Sequence, residues 1–516
     1  MKAKTGKTVQ RVRILVQVIF TLVFFYLLIH SGQARTESYT YTDAFFYIDP
    51  LIMLLNFLAT GKFMTIFLLS LIPLALTLVF GRFFCGWVCP FGALNQFFSW
   101  IFKKSKKEKK GVDKPLLKLK YALLVVLVVA AIMGTHLGGW LDPFSLLTRS
   151  TAMVINPSTN YLVEQSLKEG AKDEGIIAKS LKPVYNFARD NVLWNKPRVY
   201  TQSIIIGLIF VLLLVMNLYK RRFFCNYLCP LGALYGLVSK FSLFNLKTNN
   251  ACISCNACAK NCTYNGSPYQ DYMKSECLTC FNCVDDCPKD AVDVNFALPK
   301  KENRTRIDIG RRRMVGSAAA GLVVAALPKT FIQNQSKVHF FTRPPGSVTE
   351  KEFLSKCIRC GQCMQVCPTN FIQPALFEAG LEGMWTPVLN AQSGYCEYEC
   401  NKCTQVCPTK AIEKLTLQQK KEFKIGTAVI DRNRCYTYAD GYNCAVCEEH
   451  CPIPQKAIRF REVDTWNFEG QLVPVKQIYV VPDLCIGCGI CENVCPRGDA
   501  PGILNTAEEE TREFSY

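Results

Sequence analysis

The sequence predicts two kinds of structure in one chain: an α-helical membrane domain of four helices with a two-fold internal repeat, and α+β bacterial-ferredoxin-like [4Fe-4S] domains. Three observations predict it. Four apolar segments lie near residues 14–30, 62–80, 120–135 and 203–219, each close to the roughly 20 residues that span hydrocarbon as a helix. The stretch GRFFCGWVCPFGAL at 81–94 returns as RRFFCNYLCPLGAL at 221–234. All but four of the 28 cysteines fall in six closely spaced groups after residue 250.

At 516 residues the chain is long enough for three or four domains of roughly 150 residues. Only four histidines accompany the cysteines and no CxxCH occurs, which argues against a Cys/His zinc protein and against covalent c-type haem. The start reads as lacking a cleavable signal, so a secreted disulfide scaffold does not fit either. The formal charge of +19 counts every thiol as neutral. A four-iron core on four thiolates carries about −2, so six or seven of them bring the net charge to roughly +5 to +7. The remaining excess concentrates at Lys2, Lys4, Lys7, Arg11 and Arg13 and in a loop with nine lysines from Lys103 to Lys120, both flanking apolar helices. This is the positive-inside bias of membrane topology; no basic-aromatic motif accompanies it, so nucleic acid is not an expected partner.

The same rule puts the N-terminus, the lysine loop and the Lys220, Arg221, Arg222 group on the cytoplasmic side, and the 31–61 and 136–199 connections outside. An Asp-Pro pair precedes each repeat copy, Asp49-Pro50 and Asp142-Pro143, so each half reads as helix, Asp-Pro loop, helix, CxxxCP. Two helices per repeat give both halves one orientation, with a pseudo-twofold along the membrane normal. The pairs Cys85, Cys89 and Cys225, Cys229 then meet near the cytoplasmic face. Residues four apart on a helix face one way, so these four thiols make a candidate seventh iron–sulfur site; the plain alternative is a thiol/disulfide couple or structural cysteines. The metal reading is favoured because a cytosolic-side disulfide would be kept reduced. His30 and His136 close the first helix of each half. Together with Asp49 and Asp142 they are candidate proton-exchanging groups, since ionisable residues at membrane depth are often functional; interfacial anchoring and helix capping are the competing readings, and a bis-histidine haem is geometrically conceivable. His339 and His450 have no partner pattern.

Five segments follow from the composition: a membrane domain at 1–245, a two-cluster ferredoxin at 246–300, an apolar segment and linker at 301–345, a four-cluster ferredoxin region at 346–505 and a loose polar tail at 506–516. In C-x2-C-x2-C-x3-C three close thiolates hold three irons and a distant cysteine takes the fourth. Cys252, Cys255, Cys258, Cys262 and Cys277, Cys280, Cys283, Cys287 form the first pair of groups, with Cys287 completing the first cluster and Cys262 the second by the usual crossover. Four further groups follow: Cys357, Cys360, Cys363, Cys367; Cys396, Cys400, Cys403, Cys407; Cys435, Cys444, Cys447, Cys451; and Cys485, Cys488, Cys491, Cys495. The longer Cys396–Cys400 and Cys435–Cys444 steps require enlarged loops, and spacing leaves open which of these groups exchange fourth ligands. Between the two regions runs MVGSAAAGLVVAAL at 314–327, preceded by Arg311-Arg312-Arg313. Two arginines, one residue and two apolar ones match the twin-arginine export pattern.

These residues resemble a known pair of proteins. The first 300 resemble NapH, the membrane quinol dehydrogenase unit of periplasmic nitrate respiration, through the two CxxxCP motifs and the following ferredoxin. Those from about 310 resemble the NapG/MauM ferredoxin-type family, through Arg311-Arg312, Arg343-Pro344-Pro345-Gly346 and the four cysteine groups. The resemblance implies a multi-pass protein of the bacterial inner membrane carrying six [4Fe-4S] clusters, with a seventh at the CxxxCP motifs. It implies quinol as the diffusible donor, for which His30, His136, Asp49 and Asp142, by their own positions, are the candidate proton acceptors. It also implies a terminal reductase or cytochrome as electron acceptor, and a C-terminal ferredoxin region on the outer side while the first stays cytoplasmic. An accessory role, supplying electrons for cofactor assembly or metal reduction, is the alternative; a mere anchor would not need six cluster motifs.

Overall fold

The Asp-Pro and Cys-Pro steps of the repeat each begin a helix. Proline suits the first helical position because its φ is preset and its missing N–H would have no partner there. In the computed structural model Asp49 caps Pro50–Thr60, accepting from the Leu51 and Ile52 amides at 2.8 and 3.2 Å. Cys89 and Cys229 cap Pro90–Ile101 and Pro230–Ser239, their sulfurs accepting from the Gly92 and Gly232 amides at 3.4 and 3.2 Å. Asp142 precedes Pro143–Ser150 and accepts from the Ser145 amide at 2.7 Å. The structure describes residues 3–33, 43–102, 114–170, 182–183, 185–186, 198–260, most of 262–298, 310–334, 341–466 and 470–512. Most of the lysine loop, the His30 side chain and His339 lie outside the described residues. Two compact units divide the chain: residues 1–30, 41–150 and 205–327, and residues 31–40, 151–204 and 328–516.

The first unit is helical apart from one two-stranded sheet. Among the described residues only Thr8–Ile29, inside the helix Ala3–Gln33, is by itself long and apolar enough to cross a membrane. The other three expected spans are shorter apolar helices, Thr65–Phe80, Leu119–Ile132 and Ser203–Leu218. Gly81 at φ +73° and Gly134 at φ +86° end the first two of these, a left-handed stop that glycine adopts without cost to a Cβ. Polarity in this unit is inverted. Leu22, Leu208 and Leu212 are 63 %, 66 % and 57 % exposed, whereas Asn56, Ser70, Thr77, Asn95 and Thr135 are buried. The 31–61 and 136–199 connections are not simple surface loops: Pro50–Thr60 packs against Leu119–Ile132 and Pro230–Ser239, and Asp49, His136 and Asp142 are fully buried. The apolar run at 314–327 belongs to a longer helix, Arg311–Asn334, of 24 residues, about 36 Å at 1.5 Å per residue. Its Gly321 lies so close to Leu119–Ile132 that a Cβ there would come within 3.0 Å of the Val126 carbonyl oxygen. The sheet pairs Phe244–Thr248 with Val292–Phe296 antiparallel, Phe244 opposite Phe296, and its inner face packs with Val284 on Cys258, Cys277 and Cys283.

The second unit is the four-group ferredoxin region together with part of the 136–199 connection. Its sheets are Ile372–Pro374 with Pro387–Leu389, Thr427–Ile430 with Ile503–Thr506, and the hairpin Ile458–Trp466 with Leu472–Val480. Within this unit Tyr200 donates to the Met364 carbonyl at 3.1 Å, the Thr201 amide donates to Gln373 at 3.2 Å, and Arg198 donates to the Gln365 carbonyl. Arg343 of the Arg-Pro-Pro-Gly stretch is a buried clamp. It pairs with Glu350 at 2.5 Å, donates to Thr386 and the Pro387 carbonyl at 2.7 Å each, and stacks on Phe341 and Phe353. The expected loose tail is ordered as far as residue 512: Asn505 pairs with Ala428, the Thr511 amide donates to the Lys424 carbonyl, and buried Arg512 joins Glu350 and Glu510. Its charges read as solvated in the sequence because their partner Glu350 is 162 residues away.

Candidate functional site

The cysteine loops share one backbone device. Residues with left-handed φ recur at the same two places, just before and just after the second cysteine: Ser254 and Asn256, Thr279 and Phe281, Arg359 and Gly361, Gly487 and Gly489. Successive turns of this kind curl backbone N–H groups toward an enclosed anion. The two enlarged loops, at Cys396–Cys400 and Cys435–Cys444, lack the paired φ values among the described residues. Three cavities, each enclosing about 340 Å³ including its mouth, are ringed by four cysteines apiece: Cys252, Cys255, Cys258 and Cys287; Cys435, Cys444, Cys447 and Cys495; Cys451, Cys485, Cys488 and Cys491. In each the fourth thiol comes from the neighbouring group. The remaining thiols assort in the same way: Cys283 faces Cys277, Cys280 and Cys262, Cys363 faces Cys357, Cys360 and Cys407, and Cys403 faces Cys396, Cys400 and Cys367. The exchange left open by spacing is therefore between neighbours, first with second and third with fourth.

These rings fit a four-iron core. The thiols stand round a cavity rather than round a point, and among the described residues no three His, Cys, Asp or Glu side chains gather closely enough to hold a single metal ion. Backbone amides donate to the sulfurs of Cys287, Cys407, Cys485 and Cys495 at 3.1 to 3.4 Å. Burial pushes the Cys277, Cys447 and Cys488 thiols up to about 12 and Cys396 up to about 11, so a cationic metal core is what makes them thiolates. In the second unit the Cys396 amide donates to the Cys488 carbonyl at 2.8 Å, which puts the second and fourth groups in contact and strings the four rings in the order first, second, fourth, third. In the first unit Cys255 is exposed whereas Cys277 and Cys283 are buried, so one ring of that ferredoxin opens to solvent and the other faces inward.

The inward ring lies beside the CxxxCP motifs. Cys85, Cys89, Cys225 and Cys229 gather, each of Cys89 and Cys229 within electrostatic reach of the other pair, and none is in a disulfide. The loop carrying Cys277 and Cys280 is seated on the first motif: Trp87 donates to the Thr279 carbonyl at 3.2 Å, and a Cβ on Gly86 would stand 2.5 Å from the Leu278 carbonyl oxygen. A buried ion group fastens it. Glu276 accepts from Lys120 at 2.5 Å, Tyr121 at 2.8 Å and Arg82 at 3.2 Å, and Arg82 also donates to the Ser275 carbonyl at 2.9 Å. Arg222, the repeat equivalent of Arg82, is likewise buried and donates to Tyr264 and Gln96. Asp49 and Asp142, expected on separate connections, come within hydrogen-bonding reach of each other. His450 is exposed beside the Val446 carbonyl.

Comparison with known proteins agrees with this chemistry. Profiles described as "4Fe-4S binding domain" match residues 63–108 and 201–249, 249–265 and 353–373, and one described as "4Fe-4S dicluster domain" matches 442–498. An uncharacterized protein of Methanocaldococcus jannaschii is 23% identical over 289 residues, 55% of this chain and 87% of that protein. The ferredoxin-type protein NapG of Escherichia coli is 32% identical over 200 residues, 36% of this chain and 81% of NapG. The methylamine utilization ferredoxin-type protein MauM of Methylorubrum extorquens is 32% identical over 208 residues, 40% of this chain and 90% of MauM. The chain belongs to the NapG/MauM family of ferredoxin-type proteins. No solved structure matches it.

As a NapG/MauM-type protein it is an iron–sulfur electron-transfer protein with several [4Fe-4S] clusters, and its apolar N-terminal helix is compatible with membrane association. Sequence reasoning missed four groups at the inner end of this polyferredoxin: Arg82, Arg222, Tyr235 and Glu276. The first two carried a signal, since Arg-Phe-Phe-Cys is identical in both repeat copies. Glu276 carried none, because its cationic partners are 194 and 156 residues away.

Proposed function

We propose that this NapG/MauM-type chain is a membrane-embedded quinol-oxidising protein with six [4Fe-4S] clusters on the 24 ferredoxin cysteines and a seventh on Cys85, Cys89, Cys225 and Cys229, passing electrons to a terminal reductase or cytochrome. The observation that carries the reading is the seating of the Cys277–Cys280 loop on the CxxxCP motif inside a unit that buries its polar groups and exposes its apolar ones. A lipid-soluble donor reaches such a site from the bilayer, and an apolar outer surface is what a bilayer solvates. Bound clusters supply one-electron redox chemistry. The chain's own residues do the rest: Arg82 and Arg222 place positive charge beside the thiolates, and the exposed Cys255 ring is the natural point of exchange with a partner.

Two observations support an outer location for the four-cluster unit. Helix Arg311–Asn334 measures about 36 Å against roughly 30 Å of hydrocarbon, although its apolar run at 314–327 covers only about 21 Å of that length. Residues 198–201, at the end of the connection that positive-inside bias puts outside, fold as part of this unit. The purified full chain, reconstituted in vesicles, should bleach its cluster absorbance on addition of menaquinol or ubiquinol; a cluster-loaded protein that no quinol reduces overturns the donor. Protease access to the C-terminus in intact spheroplasts tests the side, and protection there until lysis refutes the outer location.

A further inference from the structure

The Asp49 and Asp142 carboxyl groups meet although 93 residues separate them. Each caps the helix that its Asp-Pro step begins, and each spends one oxygen on its own helix: Asp49 Oδ1 accepts from Leu51 and Ile52, and Asp142 Oδ2 from Ser145. The other oxygens, Asp49 Oδ2 and Asp142 Oδ1, are fully buried and accept from no N–H or hydroxyl among the described residues. Both carboxyl groups are fully buried, and in a dry site two adjacent carboxylates repel too strongly to coexist, so such a pair is held together by a proton on one of them. The pair therefore holds one proton and keeps one ionised oxygen free to take another.

A second group points at the same place. Tyr235 is fully buried on Pro230–Ser239, its ring against Phe84 with centroids 5.3 Å apart. Its hydroxyl has no hydrogen-bond partner among the described residues and lies within electrostatic reach of Asp49, Asp142, Cys85 and Cys89. Asn56 Nδ2, on the helix Pro50–Thr60 packed against Pro230–Ser239, and Thr135 Oγ1, just beyond the end of Leu119–Ile132, are also buried without partners. Buried polar groups left in this state mark a place where a hydrogen-bonding guest belongs. A phenolic hydroxyl within reach of both a proton acceptor and the CxxxCP thiols suits a guest with an O–H to lose.

We propose that Asp49 and Asp142 form a single-proton carboxyl pair that accepts the hydroxyl protons of quinol, with the Tyr235 hydroxyl receiving the quinol oxygen between the pair and the four CxxxCP cysteines. The inference rests on the quinol reading above. Quinol loses two electrons and two protons in becoming quinone. The electrons go to the oxidised iron–sulfur sites. Each proton leaves as a quinol O–H bond breaks and a carboxyl O–H bond forms on the ionised member of the pair, which then returns to its one-proton state by releasing a proton to water before taking the second.

The test uses the full, cluster-loaded chain and its Asp49→Asn and Asp142→Asn variants. Asparagine caps a helix about as well as aspartate, so both helices keep their starts, and iron content with dithionite bleaching checks loading. Infrared spectra of wild type should contain a carboxylic-acid C=O band that either substitution removes. Quinol-driven bleaching should slow by about 10² or more in each variant, the usual scale for loss of a positioned proton acceptor, and Tyr235→Phe should raise the quinol KM. Wild-type quinol rates in both asparagine variants overturn the acceptor role. A wild-type spectrum without the band overturns the shared proton alone; a wild type with the band that no quinol reduces overturns the donor reading, and the acceptor role with it.

Discussion

Replacing Glu276 by Gln tests whether the buried ion group holds the ferredoxin loop on the CxxxCP motif. Glu276, Arg82 and Lys120 are 0 %, 1 % and 0 % exposed, so water screens none of them. Arg82 keeps the Ser275 carbonyl as a partner after the change, whereas Lys120 loses the carboxylate 2.5 Å from its ammonium. Leaving one charge of a buried pair uncompensated costs about 3–5 kcal/mol. At about 1.4 kcal/mol per tenfold, the equilibrium for opening this contact should shift on the order of a hundred- to several-thousand-fold. Hydrogen exchange of the 275–280 amides reads that opening directly. Glu276→Gln combined with Lys120→Met removes the stranded charge and should recover part of the loss, because an apolar replacement of an ion pair is often neutral or better. Unchanged exchange in Glu276→Gln, with wild-type cluster content, would refute the clamp.

Three further outcomes follow from other contacts. Full cluster loading corresponds to about 28 iron atoms, four to each set of four cysteines, and Cys85→Ser with Cys225→Ser should lower iron to about 24 while the ferredoxin signals persist; unchanged iron would remove the seventh site. Gly86→Ala puts a methyl group 2.5 Å from the Leu278 carbonyl and should raise exchange in the 277–280 loop without touching the second unit. Burial alone would raise the Glu350 carboxyl, but Arg343 and Arg512 hold it below its ordinary value. A lowered folded-state value stabilises above the unfolded value and is lost as pH falls through the folded one. Acid unfolding of the second unit should therefore steepen below the ordinary carboxylate range, and Glu350→Gln should flatten that slope while lowering stability at neutral pH.

Ligand spacing was legible because a cluster loop is a local object: three cysteines within seven residues define most of a ring. Fourth-ligand exchange was legible for the first pair of groups but not among the last four, since it depends on which loops pack together, and neither was the Asp49–Asp142 contact. The Asp-Pro signal was read as a loop feature, yet it is the start of a helix; the same two residues serve both, and only the buried helix Pro50–Thr60 distinguishes them. The four apolar segments were found at the right places, but three of the helices they form are by themselves shorter than a membrane span, and glycine ends two of these, at Gly81 and Gly134. The tail at 506–512 was misjudged on composition, because the partners of its charges lie far up the chain.

Four helices of the first unit start at a proline, Pro50, Pro90, Pro143 and Pro230. Each first turn carries about half a positive charge from its aligned peptide dipoles, so together the four ends supply about +2, comparable in size to the charge of one thiolate-bound four-iron core. Unlike a lysine or arginine, a peptide dipole cannot be deprotonated, shed by a point mutation or swung away on a flexible stem. The positive potential felt by the four capping side chains, Asp49, Cys89, Asp142 and Cys229, is thus set largely by backbone, and drift in the surrounding side chains changes it little as long as the four prolines keep their places.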